Sequence, residues 1–329
     1  MLIEAARSIH VEEIRSVGAL EEITLQWSAL WNRCDAVTPF QSPCWLLPWW
    51  KHIGGEELCV VTLWIDDQLV GIAPFFIWPS PNARTLLLIG TGISDYLDVL
   101  VDPEWKDVAA NAIFSWLASE GDRWDVCDFQ ELRDNSLLLR AAAPDGYFDE
   151  TSAQSVCPVI DLATAGYSMR RKAQRYLRHA KKLGELHIEQ ANQQSFEEFF
   201  DALLRLHDRR WQPRGGTQAL TEEKLEDFHR EAARSFLGLG LLRLYVLKLN
   251  DRIIGALYGY EAKQRVYYYL GGFDPQFAKL SPGVILIGHA IEQAIASGVK
   301  EFDFLRGQEP YKYQWGAKDR MTYRRQIRR

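Results

Sequence analysis

The sequence predicts an α/β protein of the α+β kind, built as two tandem copies of one plan, each a mixed, mostly antiparallel sheet flanked by helices. Two observations carry this. A β-hairpin, a further strand, an Asp-Pro pair, a helix ending near glycine and a short closing strand occur twice in the same order. A length of 329 residues, 47% hydrophobic and 25% charged, suits about two domains that each bury a core.

In the first copy residues 58–65 are β-rich, Asp66-Asp67 supplies a turn, and residues 69–78 (LVGIAPFFIW) resume a strand. In the second, residues 242–249 (LRLYVLKL) lead through Asn250-Asp251 into residues 253–260 (IIGALYGY). Strands at 84–89 and 265–270 follow, then Asp102-Pro103 and Asp274-Pro275. The next segments carry apolar residues at helical spacing: Val108, Ala112, Ile113, Trp116 and Leu117, then Ile285, Ile287, Ala290, Ile291 and Ile295. Gly121 and Gly298 mark the helix ends. Closing strands at 124–129 (WDVCDF) and 301–305 (EFDFL) align Asp128-Phe129 with Asp303-Phe304. A basic helical connector, 166–182 (GYSMRRKAQRYLRHAKK), lies between the copies, with no acid from 162 to 184. Helices through 196–211 and 222–236 are separated by the Pro213, Gly215 and Gly216 breaker. The boundary is expected near residue 160, giving domains 1–160 and 161–329.

Composition excludes several classes. A net charge of -6 argues against a general nucleic-acid or DNA binder. The start, MLIEAAR with Glu12 and Glu13 close behind, offers no apolar leader, and apolar runs such as 86–89 and 284–287 fall far short of the ~18–20 residues of a membrane helix. Five cysteines (34, 44, 59, 127 and 157), odd in number and without a Cys-x-x-Cys pair, read as reduced thiols of a cytoplasmic protein. Gly90-Thr91-Gly92 lacks the third glycine of a dinucleotide loop, and there is no Walker A loop, no Gly-x-Ser-x-Gly elbow and no paired metal-ligand spacing, so no metal is expected.

Candidate site residues fall mainly in the second half. Ser281-Pro282-Gly283 opens a helix after a strand, where free N–H groups and the helix dipole suit a phosphate; the same residues also suit a plain helix start. Residues 306–315 (RGQEPYKYQW) place Arg306 and Gly307 after a strand and then Glu309, Tyr311 and Lys312, a dense polar cluster that a solvated turn can also hold. Glu309 is a candidate base for an amine or hydroxyl, and Arg306 a clamp for a carboxylate or phosphate. His207 and Trp211 share a helix face, as packing or as acceptor contacts. Asp95, Tyr96 and Asp98 occupy the corresponding strand region of the first copy.

The strand order resembles the GNAT acetyltransferase core, and the tandem version resembles the Fem-type transferases. The motifs SPCW (42–45), DYLDVLV (95–101), LHDRRW (206–211), YYYLGGFDP (267–275), SPG (281–283) and EFDFLRGQEPYKYQWG (301–316) together resemble the CelD/BcsL-type bacterial acetyltransferases, associated with cellulose biosynthesis. The resemblance implies transfer of an acetyl or other acyl group from acyl-CoA to an amine or hydroxyl of a small-molecule or saccharide acceptor. It implies that Tyr311 protonates the departing thiolate, with Glu309 and Asp303 beside it. It further implies donor contacts from Lys279, Ser281, Gly283, Arg306, Gly307 and Lys312, and acceptor contacts from Asp95, Tyr96, His207 and Trp211. One departure stands out: the usual pyrophosphate loop has Arg or Gln followed by two spaced glycines, which residues 279–283 match only in part. Two other readings stay open. A Fem-type aminoacyl or peptidoglycan-precursor transferase would make the basic helix essential and tRNA a partner; a catalytically silent binding module would need neither.

Overall fold

Turn chemistry sets the hairpins. In the computed structural model, which describes residues 9–55, 57–164, 167–211 and 222–329, Asp66, Asn250, Asp251, Lys263 and Gln264 all take positive φ. Two consecutive left-handed residues form the tight turn whose twist matches antiparallel strands, and Asn and Asp tolerate that conformation best after glycine. The start of the chain, the Pro213, Gly215 and Gly216 breaker and the Arg210 and Trp211 side chains lie outside the described residues.

The chain divides into two compact units, Met1–Ser155 with Met321–Arg329, and Val156–Arg320. The first unit contains β1 (His10–Ile14), α1 (Val17–Glu22), α2 (Thr24–Arg33), α3 (Pro43–Ile53), β2 (Glu57–Ile65), β3 (Gln68–Pro79), β4 (Arg84–Leu88), β5 (Leu100–Val101), α4 (Lys106–Ser119), β6 (Val126–Arg133) and α5 (Leu137–Arg140). The chain passes to the second unit within β7 (Phe148–Asp161). There follow α6 (Tyr167–Ala180), β8 (Leu186–Gln190), α7 (Phe196–Trp211), α8 (Glu223–Gly238), β9 (Leu242–Leu249), β10 (Arg252–Ala262), β11 (Arg265–Phe273), α9 (Pro282–Ala296), β12 (Glu301–Asp303) and α10 (Pro310–Tyr313). The chain re-enters the first unit within β13 (Lys318–Arg328).

The repeat read from the sequence is a repeat of pairing. β2, β3 and β4 are successive antiparallel neighbours and β4 pairs β6 in parallel; β9, β10 and β11 are successive antiparallel neighbours and β11 pairs β12 in parallel. Each unit is thus a mixed, mostly antiparallel sheet flanked by helices, the GNAT-like order expected. Register refines one detail. Each central strand opens on an arginine paired with an acid at the start of its parallel partner, Arg84 with Asp125 at 3.0 Å and Arg265 with Glu301 at 2.9 Å. Counted from those pairs, Cys127 rather than Asp128 stands opposite Leu86 where Asp303 stands opposite Tyr267. The matching Asp-Phe pairs are therefore offset by one residue in the ladder.

Apolar faces close both cores. In the first unit Phe75 stacks on Trp116 and Phe129, with centroids 5.9 and 5.5 Å apart, among Leu63, Ile113 and Leu117. In the second, Ile285, Ile287, Ala290 and Ile291 of α9 pack with Ile254, Leu257, Val266 and Phe302 of the sheet. On the sheet's other face α7 packs against β10 and β11. A Cβ on Gly272 would lie 2.4 Å from the His207 backbone nitrogen, so the missing side chain is what lets the helix rest on the strand. Gly272→Ala must push α7 off β11, an overpacking cost of about 1–3 kcal/mol. We expect a Tm lower by several degrees with unchanged secondary structure, measured by thermal melting followed by circular dichroism.

Candidate active site

The parallel ladder between β11 and β12 lasts three residue pairs, Arg265 with Glu301, Val266 with Phe302 and Tyr267 with Asp303. β11 then runs on to Phe273 while β12 stops, so the sheet parts at this point. Tyr268 faces the α9 side, whereas Tyr269 meets His229 of α8 at 5.1 Å between rings, and a register shift against β10 at this point breaks the simple alternation, so that Phe273 returns to the α9 side.

On the α9 side lies a cavity of about 260 Å³. Met169, Tyr268, Phe273, Ile287 and Trp315 give it an apolar wall. Ser281, Pro282, Gly283 and Tyr311 line it too, so three of the sequence-derived candidates, Ser281, Gly283 and Tyr311, share one cavity. Ser281 is the N-cap of α9 in a left-handed conformation (φ 57°, ψ 53°), and its hydroxyl does not cap the helix. Its carbonyl accepts from Val284 and Ile285 at 3.0 and 3.1 Å, and Pro282 brings no N–H. The helix start thus opens on the cavity without a side-chain cap.

The segment after β12 forms the other wall. Asp303 is fully buried; its Oδ1 accepts the Leu305 N–H at 2.8 Å and its Oδ2 lies 3.5 Å from Arg320. Leu305 takes φ 56° and Gly307 φ 106°, a reversal that places Glu309 against Gly307. Lys312 holds this loop. Its ammonium, 2% exposed as a residue, donates to the carbonyls of Leu305, Arg306 and Gly307 at 3.3, 2.7 and 2.9 Å and pairs with Glu309 at 2.9 Å. Tyr311, one residue earlier, is half-buried and sets the edge of its ring against Phe304, 6.2 Å away at 88°.

The remaining candidates fall elsewhere. Lys279 is exposed on the 3₁₀ turn before α9, and Arg306 is half-buried directly after β12. His207 is 3% exposed on α7. Trp211 ends that helix with its side chain outside the described residues. Asp95 and Tyr96 are buried in the first unit, where the Arg133 guanidinium sits 5.9 Å from the Tyr96 ring centre. Sequence reasoning missed Met169, Tyr268 and Phe273 as cavity residues. Strand periodicity could not find the last two, because a register shift between Tyr268 and Leu270 breaks the alternation along 267–273.

No group of three or more His, Cys, Asp or Glu suited to a metal occurs among the described residues, and none of their helices is long and apolar enough to cross a membrane.

Comparison with known proteins places this geometry. Residues 167–313 match the sequence profile of the family described as acetyltransferase (GNAT) domain. The fold is similar to the crystal structure of FemX, at 11% identity over 92% of this chain and 95% of that one, with a TM-score of 0.67. It is also similar to the C-terminal domain (DUF2156) of a putative lysylphosphatidylglycerol synthetase from Agrobacterium fabrum, at 11% identity over 94% and 92% of the two chains, with a TM-score of 0.61. A conserved protein of unknown function from Bacteroides thetaiotaomicron matches at 11% identity over 98% and 100%, with a TM-score of 0.55. At such identities the likeness is one of fold. No curated protein matches the sequence.

Two outcomes test the site's supports. Lys312→Met removes the ammonium from three carbonyls and one carboxylate; breaking such a buried pair costs about 3–5 kcal/mol. A clearly lowered Tm in differential scanning calorimetry is expected. His229 is buried against Phe228, Tyr258 and Tyr269, and burial first, then the neighbouring His207, lowers its pKa from 6.5 to about 3. Between those values the unfolded chain binds the extra proton, so stability is fully present above pH 6.5 and lost as pH falls through the window. The loss reaches about 5 kcal/mol at most. Denaturant titrations from pH 7 to pH 4 should show a steeper acid loss in wild type than in His229→Phe.

Proposed function

We propose that the protein transfers an acetyl or other acyl group from acyl-CoA to an amine or hydroxyl of a small-molecule or saccharide acceptor, at a site in its second unit. The carrying observation is the cavity that unites the uncapped start of α9 with Tyr268 and Tyr311 where β11 and β12 part. The cavity fits the donor's chemistry. Its apolar wall of Met169, Phe273, Ile287 and Trp315 suits a pantetheine arm, and the α9 start suits a phosphate at its end.

In this reading Tyr311 protonates the sulfur that leaves the thioester, since a phenol hydroxyl can donate a proton to a departing thiolate. Glu309 accepts the acceptor's proton, and its carboxylate stays close to Lys312. Lys312 serves by holding the 305–309 loop, and Asp303 by fixing the strand end from which that loop departs. Lys279, Ser281, Gly283, Arg306 and Gly307 belong to the donor side, and His207 and Trp211 to acceptor binding. The proposed domain boundary near residue 160 opens this catalytic half, whose last strand passes back into the first unit from Met321. The motifs from 42 to 45 through 301 to 316 support a bacterial enzyme of the CelD/BcsL type in polysaccharide or cell-envelope metabolism. A cytoplasmic location is supported by five free cysteines.

A second reading, a Fem-type aminoacyl or peptidoglycan-precursor transferase with tRNA as partner, draws on the fold likeness to FemX and on the basic α6. Calorimetric titration with acetyl-CoA separates the two, because saturable binding belongs to the first alone. Within the first, Tyr311→Phe removes the hydroxyl and keeps the ring. We expect kcat to fall by roughly 10²- to 10⁴-fold with donor Kd nearly unchanged. Glu309→Gln should lose acceptor activation and regain part of it at higher pH, where more of an amine acceptor is already deprotonated. Wild-type turnover in Tyr311→Phe under chemistry-limited conditions removes Tyr311 from the mechanism.

A further inference from the structure

We infer that α6 binds the phosphorylated nucleotide end of the acyl donor, its side chains adding anion contacts to the few that the start of α9 offers from its backbone. The inference rests on the acyl-CoA reading and adds a subsite to it.

Three observations meet here. First, α6 belongs to the cavity wall: Met169 lines it, Ala173 packs on Gly288 of α9, and the helix touches the turn Pro275–Leu280 that carries exposed Lys279. Second, the cavity is too small for a whole nucleotide thioester. At about 260 Å³ it falls below the ~300–1,000 Å³ typical of sites that enclose a drug-sized ligand, so it takes the acyl-pantetheine end and leaves the nucleotide outside. Third, the α9 start has Pro282 at its first position and a left-handed Ser281 before it, which reduces the N–H groups offered to a pyrophosphate.

What lies on the exposed side of α6 suits that nucleotide. Met169, Ala173 and Ala180 turn inward, while Arg171, Arg175, Arg178, Lys181 and Lys182 are exposed. Arg170 is held by Glu292 at 2.7 Å. Lys172, Arg175, Arg178, Lys181 and Lys182 have no acidic partner among the described residues. With no acid between Asp161 and Glu185, the helix carries an uncompensated positive field on a chain whose net charge is -6. Half-buried Tyr176 gathers two of these cations over its ring, with Lys172 Nζ 6.0 Å and the Arg175 guanidinium carbon 5.8 Å from the ring centre. Two cations gathered over one aromatic ring make a fixed positive cluster that suits the donor's phosphates.

The test is isothermal titration of the full chain with acetyl-CoA and, separately, with acetyl-pantetheine, which keeps the thioester arm and lacks the nucleotide. The wild type is compared with a Lys172→Glu/Arg175→Glu variant whose melting curve shows an intact fold. The variant should bind acetyl-CoA at least about tenfold more weakly, with the difference shrinking at high salt, and bind acetyl-pantetheine as the wild type does. Unchanged acetyl-CoA affinity, or an equal loss for both thioesters, overturns the α6 subsite while leaving the donor reading intact. A wild type that binds neither thioester overturns the donor reading and the subsite with it. The same result holds if it takes up only tRNA.

Discussion

The three-residue parallel ladder of β11 and β12 governs the second unit's candidate site. Parallel neighbours share hydrogen bonds only while both strands continue, and here one stops at Asp303 while the other runs six residues further, to Phe273. Past that point the two strands part, and Tyr268 lines the cavity on the α9 side of the sheet. The ladder stops because the chain turns away: the Asp303 carboxylate takes the Leu305 N–H, and Leu305 enters the left-handed region.

Holding that turned-away segment requires satisfying its carbonyls, because a buried backbone acceptor without a donor costs about as much as a lost hydrogen bond. Lys312 meets the requirement with a single ammonium shared among three carbonyls and the Glu309 carboxylate. A buried charge persists only when it is paired, and these contacts tie the loop down beside Tyr311, whose ring rests against Phe304. Position of the phenol and electrostatics of the loop are therefore linked.

The two units show how far a shared plan constrains chemistry. Both use an Asp-Pro start in which the aspartate accepts from the amide two residues on, Asp102 from Glu104 at 3.2 Å and Asp274 from Gln276 at 3.0 Å. Both anchor that aspartate to arginine, Arg33 in one and Arg252 with Arg209 in the other. They diverge at the strand corresponding to β12. In the first unit β6 continues to Arg133 because β13 pairs along it, and Arg324 holds Asp128 at 2.6 Å. Equal topology thus supports a continued ladder in one unit and an open end in the other.

Hairpins, strand order and the repeat were legible in the sequence because they depend on local chemistry: Asn250-Asp251 accepts left-handed backbone, and apolar spacing at Ile285, Ile287, Ala290 and Ile291 fixes which side of α9 is buried. The cluster from Arg306 to Lys312 was legible as chemistry, since polar residues after a strand are written consecutively. What each member touches was not. Lys312 and Tyr311 are neighbours in sequence, yet one turns into the loop's carbonyls and the other into the cavity, a choice made by packing against Phe304 and by the reversal at Leu305 and Gly307. Met169 joined the cavity from more than a hundred residues before Ser281, through contact between α6 and α9. The sequence by itself determined the elements and their order, because propensity and period act over a few residues; only the tertiary structure decided which side chains meet, because that follows from contacts distant in sequence.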